Sequence, residues 1–434
     1  MLCMSDKRLY DRIALIIIDQ LRHDYAEYFS NCSRLCRTKT KCDTNSIPTS
    51  TEAMHANISL GKYPREHGVF SKQSKDVKDI EILAEMYATN ALSSLASIGY
   101  NRGYKTFFAG GKKDVADIVA TDLDSDLRVF GEKQEGNKWK LGSNNSEGSY
   151  WEQEYSSWLN RHPFIFSATE MDYCLLGLLK DILVADRNKN NDFFYVLALP
   201  GLDFIGHRWG PHSSETRNHI RSLDRKIADL MKANDDVLFV VAGDHGCRST
   251  DKYVIQRDDN NRMAGIYHEV GEIYKPADVY EFADNFQFIS FDGGKLRLWL
   301  HEGCDLSARD TRFLSDYGKI IDLRPRVIDG VEPKFLEIIE NSRHVNAGDV
   351  IVVSNKDATF CKRTWIHEAQ IRKKISNQQE LQLDELPRGE HGTYYDEDRI
   401  TLLLSTHDFK KESFLNLNIR QEIEKLMDCV NDQK

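Results

Sequence analysis

The stretch Ile13-Ala-Leu-Ile-Ile-Ile-Asp19 is a run of apolar residues that ends in a carboxylate. Two later stretches repeat this pattern, Phe193-Phe-Tyr-Val-Leu-Ala-Leu-Pro-Gly-Leu-Asp203 and Val237-Leu-Phe-Val-Val-Ala-Gly-Asp-His245. Short unalternating runs rich in Val, Ile and Phe are typical of strands that are buried on both faces of a parallel sheet. Ligands bind at the carboxyl ends of strands in such α/β sheets, so the three Asp residues are expected to meet there.

Helices and a further strand are predicted around these three runs. Residues 81–103, 172–186 and 215–233 carry apolar side chains at a spacing near 3.6, which indicates amphipathic helices. The apolar run at residues 399–405 is a fourth strand candidate. Residues 131–149 are polar and rich in Gly, Asn, Lys and Glu, and we expect an exposed loop. The pattern as a whole predicts an α/β fold with a mostly parallel sheet.

Residues 250–387 differ in sequence pattern from the rest of the chain. They contain a hairpin pattern at 286–301, helical patterns at 306–317 and 333–341, and strand patterns at 320–328 and 350–353. This mixture predicts a smaller α+β cap lobe inserted into the main fold. The main core would then comprise residues 1–249 and 388–434.

Composition limits the classes of function. The chain has 434 residues and a formal net charge of −10, which argues against a broad nucleic-acid-binding surface. The apolar run near the N-terminus is too short for a signal peptide or membrane span, so a cytoplasmic protein without membrane attachment is expected. Nine cysteines, among them Cys32, Cys36 and Cys42, match no CxxC spacing, and ordinary reduced thiols are expected.

The stretch Thr49-Ser-Thr-Glu-Ala-Met-His55 suggests the start of a helix. Thr49 and Glu52 have the spacing of a capping box, which would place Thr51 in the first helical turn. Free N–H groups and the positive end of the helix dipole favour an anion there, so the Thr51 hydroxyl could face a phosphate. Taken alone, the stretch is better explained by Thr and Ser that only cap the helix.

Two further motifs combine carboxylates with imidazoles. Asp203 and His207 are four residues apart, so one helical turn could direct both side chains at a single ion. Asp244 and His245 are adjacent, and at a turn they could share a metal. Either motif alone is a weak signal.

The motifs are informative because they occur together and in order. A strand-end Asp comes first, and Thr51 lies ten residues before Gly61 of Leu60-Gly-Lys-Tyr-Pro-Arg-Glu-His-Gly68. They continue with Asp203 and His207 followed by Gly210-Pro211, then Gly243-Asp-His-Gly246, and last Gly389-Glu-His-Gly392. In this order the chain resembles the alkaline phosphatase superfamily, and within it the type I phosphodiesterase/nucleotide pyrophosphatase branch.

The resemblance implies a three-layer α/β sandwich with two divalent metal ions and a threonine nucleophile. One metal would be held by Asp203, His207 and His391, and the other by Asp19, Asp244, His245 and the Thr51 oxygen. Mixed carboxylate and imidazole ligands suit Zn²⁺, with Mn²⁺ and Fe²⁺ as alternatives. The implied reaction is hydrolysis of a phosphodiester or pyrophosphate bond in a small anionic substrate, nucleotide-derived ones included, through a phospho-threonine intermediate.

The chain also departs from the family pattern. Where related phosphodiesterases often carry an Asn that binds a phosphate oxygen, this chain reads Val69-Phe-Ser-Lys-Gln73, so Lys72 or Gln73 would take that role. Sulfatases need a Cys or Ser with an Arg four residues on, and Thr51 and His55 do not fit that pattern.

Four points stay open or carry no role at this stage. We expect His55 to be a packed histidine and Gly110-Gly111-Lys112 to form a turn without a phosphate-binding role. The alternatives to a diesterase are a phosphomonoesterase with the same metal site and an inactive metal- or nucleotide-binding protein. The oligomeric state is not predicted.

Overall fold

The fold is taken from a computed structural model of the chain. It describes residues 9–72, 74–76, 78–89, 92–120, 127–133, 139–144, 150–162, 165–256, 263–270, 273–276, 280–282, 284–325, 332–361, 381–382 and 386–428.

The strands in these ranges are β1 (Arg12–Ile18), β2 (Thr38–Asp43), β3 (Lys105–Gly110), β4 (Leu127–Lys133), β5 (Trp139–Asn144), β6 (Phe193–Leu199), β7 (Leu238–Gly243), β8 (Arg248–Ser249), β9 (Lys252–Gln256), β10 (Met263–Val270), β11 (Ile273–Pro276), β12 (Tyr280–Glu281), β13 (Phe286–Phe291), β14 (Lys295–Leu300), β15 (Gly318–Asp322), β16 (Val350–Ser354), β17 (Ala358–Cys361), β18 (Leu381–Gln382), β19 (Gly389–Glu390), β20 (Ile400–Ser405) and β21 (Ser413–Leu415).

The helices are α1 (Ser30–Leu35), α2 (Thr51–Leu60), α3 (Pro64–His67), α4 (Asp79–Ala88), α5 (Leu95–Asn101), α6 (Lys113–Ala120), α7 (Glu152–Arg161), α8 (Ala168–Asp186), α9 (Gly201–Trp209), α10 (Ser214–Ala233), α11 (Ala308–Tyr317), α12 (Pro333–Asn341), α13 (Asp396–Arg399) and α14 (Asn418–Met427). Short 3₁₀ helices lie at His23–Tyr28 and Val345–Ala347.

The main sheet has nine strands in the order β21-β2-β20-β7-β1-β6-β3-β4-β5. Its centre confirms the three apolar runs as neighbouring parallel strands, since β1 pairs in parallel with both β6 and β7. Ile18 at the end of β1 is level with Leu199 and with Gly243. The residues that follow these three positions therefore leave the sheet at the same edge.

Both faces of this sheet are buried. Ala14, Ile16 and Ile18 of β1 pack in one hydrophobic cluster with residues of α8 and α10. The alternate residues Ile13, Leu15 and Ile17 pack in a second cluster with residues of α2, α5, α6 and α14. Side chains of a strand alternate between its two faces, so a strand covered on both sides must be apolar throughout. The predicted three-layer α/β sandwich is confirmed.

Some predicted elements are wrong in detail. The loop expected at 131–149 is in part a hairpin, because β4 pairs in parallel with β3 and antiparallel with β5. Leu127, Val129 and Leu141 are buried in the first cluster, and this apolar alternation among polar residues is what favours strands. The helix expected at 81–103 is two helices, α4 and α5.

Two smaller sheets are built from residues 252–382. One has the order β13-β14-β16-β15, and the other has the order β17-β9-β10-β11-β18 with β12 paired to β10. The predicted hairpin is β13 and β14, and both predicted helices are present as α11 and α12. The strand expected at 320–328 is β15, which begins and ends earlier, at Gly318–Asp322. The division of the chain at residues 250 and 387 stays a prediction.

Candidate metal centre and nucleophile

Three carboxylates meet at the carboxyl edge of the sheet. Asp19 follows β1 directly, Asp244 follows β7 directly, and Asp203 lies in the first turn of α9, just after β6. All three are buried. The parallel register of the central strands brings together residues that are up to 225 positions apart in the chain. The expectation that these strands deliver their acidic residues to one place is confirmed.

Thr51 is the first residue of α2, and its hydroxyl faces this edge. Its Oγ1 lies 3.4 Å from Asp19 Oδ1 and 3.3 Å from His245 Nε2. The predicted capping box is wrong, because Ser50 is the N-cap residue and the Thr49 hydroxyl donates to the backbone carbonyl of Thr393 instead. Thr51 nevertheless occupies the first turn, as predicted, with its hydroxyl beside a carboxylate and an imidazole.

Three imidazoles point into the same space, and their orientation is set by the backbone. The Nδ1 atom of His207 lies 2.9 Å from the carbonyl oxygen of Gly389. His245 Nδ1 lies 2.9 Å from the oxygen of Gly246, and His391 Nδ1 lies 2.8 Å from the oxygen of Thr49. A carbonyl can only accept, so each Nδ1 carries a hydrogen and each Nε2 faces the carboxylates, where it can hold either a proton or a metal ion.

The inward Nε2 atoms form two groups with the carboxylates. Asp203, His207 and His391 each place one ligand atom within 4.8 Å of the others, and so do Asp19, Asp203 and His245. His207 Nε2 and His391 Nε2 are only 3.2 Å apart. Two lone pairs at that distance repel one another, whereas a shared cation would attract both.

Asp244 lies beside the second group, but it is not one of the three residues whose ligand atoms cluster there. Its Oδ1 accepts hydrogen bonds from the backbone N–H groups of Gln20 and His245. Its Oδ2 is buried 3.4 Å from His245 Nε2 and 3.2 Å from His55 Nδ1. A buried carboxylate oxygen is stabilised by positive charge beside it. The donor set therefore fits two divalent ions, although Asp203 faces both groups where the family pattern assigns it to one.

The electrostatics of the site favour bound cations. Burial opposes the charged form of His245, but Asp244 and Asp19 raise its pKa to about 10. In the same way Asp203 and Glu390 overcome burial and raise the pKa of His207 to about 9. Burial and the charge of His245 lower the pKa of His391 to about 3. Buried carboxylates thus attract positive charge so strongly that two of the three imidazoles gain basicity.

Lys112 is the residue of this site that sequence reasoning missed. Its Nζ lies 2.6 Å from Asp19 Oδ2, 2.8 Å from Asp203 Oδ2 and 3.3 Å from Thr51 Oγ1. Burial opposes its charge, but the two carboxylates raise the pKa of Lys112 well above its ordinary value. The residue comes two positions after β3, which is parallel to β6 and ends at the same edge, so its strand-end place was the available signal.

His55 is buried next to the site, whereas the Lys72 side chain is mostly exposed. His55 is fully buried, as expected of a packed histidine, and its Nδ1 lies 2.9 Å from the Thr51 carbonyl oxygen and 3.2 Å from Asp244 Oδ2. The Lys72 side chain is 66% exposed, and its Nζ lies 2.9 Å from Asp114 Oδ2 and 4.0 Å from Glu52 Oε1. Gln73 lies outside the described residues.

Comparison with known proteins identifies the family. Residues 13–392 match the type I phosphodiesterase / nucleotide pyrophosphatase family, and the chain belongs to it. The chain is also 23% identical over 255 residues to GPI ethanolamine phosphate transferase 3 of Schizosaccharomyces pombe, a match that covers 56% of this chain. The matched stretch spans 23% of the length of that relative.

Solved structures share the fold over nearly the whole chain. Phosphonoacetate hydrolase of Sinorhizobium meliloti superposes with a TM-score of 0.64 at 14% identity, covering 97% of this chain and 96% of that one. Murine ectonucleotide pyrophosphatase/phosphodiesterase 5 gives 0.55 at 13% identity, covering 96% and 95%. The alkaline phosphatase PafA gives 0.60 at 11% identity, covering 96% of each chain.

The fold is therefore that of the alkaline phosphatase superfamily. No helix within the described residues combines the length and apolar character required to cross a membrane.

Proposed function

We propose that this protein is a two-metal hydrolase that cleaves phosphodiester or pyrophosphate bonds in small anionic substrates, with Thr51 as the nucleophile. One observation carries the proposal. Three imidazoles, each with Nδ1 against a backbone carbonyl, direct their Nε2 atoms at buried carboxylates within 3.2–3.5 Å, beside a hydroxyl at a helix N-terminus. A buried set of this kind is expensive to keep unless it binds cations.

In the proposed reaction the Thr51 hydroxyl loses its proton to solvent and its oxygen bonds to phosphorus. The bond from phosphorus to the leaving oxygen breaks, and that oxygen takes a proton from solvent. The N-terminal turn of α2 offers backbone N–H groups to the phosphoryl oxygens, because the first N–H groups of a helix have no partner within it. The Lys112 ammonium, 3.3 Å from Thr51 Oγ1, stabilises negative charge on the nucleophile and the phosphoryl group.

Bound divalent metals, with Zn²⁺ as the best match to these ligands, supply Lewis-acid charge at the nucleophile and at the leaving oxygen. Asp203, His207 and His391 would hold one of them, and Asp19, Asp244 and His245 together with the Thr51 oxygen would hold the other. Water then cleaves the phospho-threonine, which releases the second product and restores the hydroxyl of Thr51.

The relatives support chemistry at phosphorus with more than one substrate. A variant of murine ectonucleotide pyrophosphatase/phosphodiesterase 5 with a threonine replaced by alanine is described as inactive and is bound to AMP. The Sinorhizobium meliloti enzyme is a phosphonoacetate hydrolase, and the yeast relative is an ethanolamine phosphate transferase. A nucleotide-derived diester is accordingly our first choice of natural substrate class, and organic esters of pyrophosphate are second.

The test compares bis-p-nitrophenyl phosphate with p-nitrophenyl phosphate on protein stripped with a chelator and then reloaded with Zn²⁺ or Mn²⁺. We expect turnover only after reloading and a higher kcat/KM for the diester. A higher kcat/KM for the monoester would make the protein a phosphomonoesterase with the same site. Binding of AMP by the metal-loaded protein without hydrolysis of either ester would instead favour an inactive binding protein.

A further inference from the structure

A buried carboxylate and a buried imidazole lie near the N-terminal end of α9, and neither belongs to the proposed metal ligands. Asp172 belongs to α8 and His219 to α10, and their side chains are 0% and 2% exposed. His219 Nε2 lies 2.8 Å from Asp172 Oδ2, and His219 Nδ1 lies 3.1 Å from the hydroxyl of Tyr173. A buried pair of this kind has a cost of desolvation that its own hydrogen bonds only partly offset, so its location calls for an explanation.

The second contact of Asp172 is with the start of α9. The N–H of Gly201, the first residue of that helix, donates to Asp172 Oδ1 at 2.9 Å. The N-cap residue is Pro200, which provides no side-chain cap. Asp172 therefore satisfies an N–H group that has no partner within its own helix, and its negative charge lies at the positive end of the helix dipole.

Gly201 is required for this approach. A Cβ atom at that position would lie 2.4 Å from Asp172 Oδ2 and 2.8 Å from the carbonyl oxygen of Ala168. Neither distance is tolerated, and both partners are held in α8. The start of α9 is thus packed directly against α8 at the level of Asp172.

The helix that is held in this way carries two proposed metal ligands. Asp203 and His207 lie two and six residues after Gly201, and with His391 they form one of the two ligand groups. The group of Asp19, Asp203 and His245 takes only Asp203 from α9, because its other members follow β1 and β7. A shift of the start of α9 would therefore disturb the first group more than the second.

We propose that Asp172 and His219 form a positioning pair that sets the orientation of α9, and so holds the Asp203–His207–His391 group in the geometry that binds a metal. The inference rests on the proposed two-metal function. Groups that support metal ligands without touching the metal commonly change its affinity by about 10- to 100-fold when they are removed. Since Asp172 acts through the backbone of α9, the lower end of that range is expected for it.

The test compares Asp172→Ala with Asp186→Ala by equilibrium dialysis of stripped protein against graded free Zn²⁺. Asp186 is a matched control because it lies on the same helix and is also buried, but it accepts hydrogen bonds from Trp151 and Tyr195 instead. For Asp172→Ala we expect one of the two binding steps to lose affinity by about 10-fold. Asp186→Ala should keep both wild-type affinities, although the Tm of the metal-free protein falls for both variants.

Two more variants keep the result interpretable if a truncation prevents folding. Asp172→Asn retains an oxygen acceptor for the Gly201 N–H and should recover most of the lost affinity, whereas His219→Leu should weaken the same step. Equal losses of metal affinity in Asp172→Ala and Asp186→Ala, or wild-type affinity in Asp172→Asn and His219→Leu alike, would overturn the positioning role. Wild-type protein that binds fewer than two metals would contradict the proposed function itself.

Discussion

Two regions of this site, here called the ligand bed and the rim, differ in how their side chains are held. The ligand bed consists of Asp19, Thr51, Asp203, His207, Asp244, His245 and His391, which lie at the sheet edge with strand ends, helix starts and backbone carbonyls fixing their direction. The rim consists of Glu52, Lys72 and Asp114, where the two carboxylates flank one ammonium.

Most side chains of the ligand bed are less exposed than those of the rim, although His207 is 30% exposed and Glu52 is 14% exposed. The side chains of Asp19 and His245 are 3% and 0% exposed, whereas those of Lys72 and Asp114 are 66% and 41% exposed. Water and salt screen charges at the rim, so an ion pair there contributes little, while unscreened charges in the bed act strongly on one another. The proposed chemistry should therefore depend on the bed and be only modulated by the rim.

The largest effect is expected for Thr51→Ala. Loss of the nucleophilic oxygen should lower kcat by at least about 10³-fold, because covalent catalysis has no other hydroxyl in this position. The carboxylates and imidazoles remain, so the metal content should stay close to that of the wild type. Steady-state kinetics with bis-p-nitrophenyl phosphate and elemental analysis measure the two quantities. Thr51→Ser is the control that keeps a hydroxyl, and wild-type turnover in Thr51→Ala would remove Thr51 from its role.

The next effect separates the two halves of the ligand bed. His391→Ala removes one of three donors from the group that contains Asp203 and His207, so metal content should fall by about one equivalent of two. His212→Ala is the control, because His212 is exposed and belongs to neither group. Elemental analysis after dialysis gives the stoichiometry. Two equivalents retained in His391→Ala would contradict the assignment.

The sequence predicted where the strand-end carboxylates lie for a physical reason. A strand buried on both faces has an unmistakable apolar run, and the residue after it must lie at the sheet edge, so Asp19 and Asp244 were placed by pattern alone. His391 follows the two-residue strand β19, which has no such run, and its place came only from resemblance to the family.

The parts that the sequence did not predict depend on contacts between distant residues. The hairpin of β4 and β5 is stabilised by burial against the sheet and by Trp151, which a local polar composition does not reveal. The local sequence, with two glycines before Lys112, indicates only a turn. The parallel pairing of β3 with β6 is what brings Lys112 between Asp19 and Asp203. The capping box failed because Thr49 bonds to a residue 344 positions away.

Lys112→Met tests this missed member of the site. The substitution keeps most of the side-chain length but removes the charge beside Asp19, Asp203 and the Thr51 oxygen. We expect kcat to fall by about 10- to 100-fold through lost stabilisation of negative charge, while metal affinity is not reduced, since no donor atom is removed. Lys112→Arg is the charge-preserving control. A parallel loss of bound metal would show that Lys112 acts on the ligands and not on the reaction.

The smallest effect is expected at the rim, for Lys72→Met. Sequence comparison made Lys72 a candidate for binding substrate phosphate, but its ammonium lies against Asp114 and near Glu52, which already offset its charge. We expect KM for the diester to rise by no more than about threefold at physiological salt and kcat to stay unchanged, as is usual for a screened surface ion pair. Asp114→Asn is the informative partner variant, because it frees Lys72 from its ion pair and should lower KM slightly if Lys72 attracts the substrate. A drop in kcat of tenfold or more for Lys72→Met would mean that the ammonium reaches the reacting phosphate during turnover, and the division between bed and rim would then have to be redrawn.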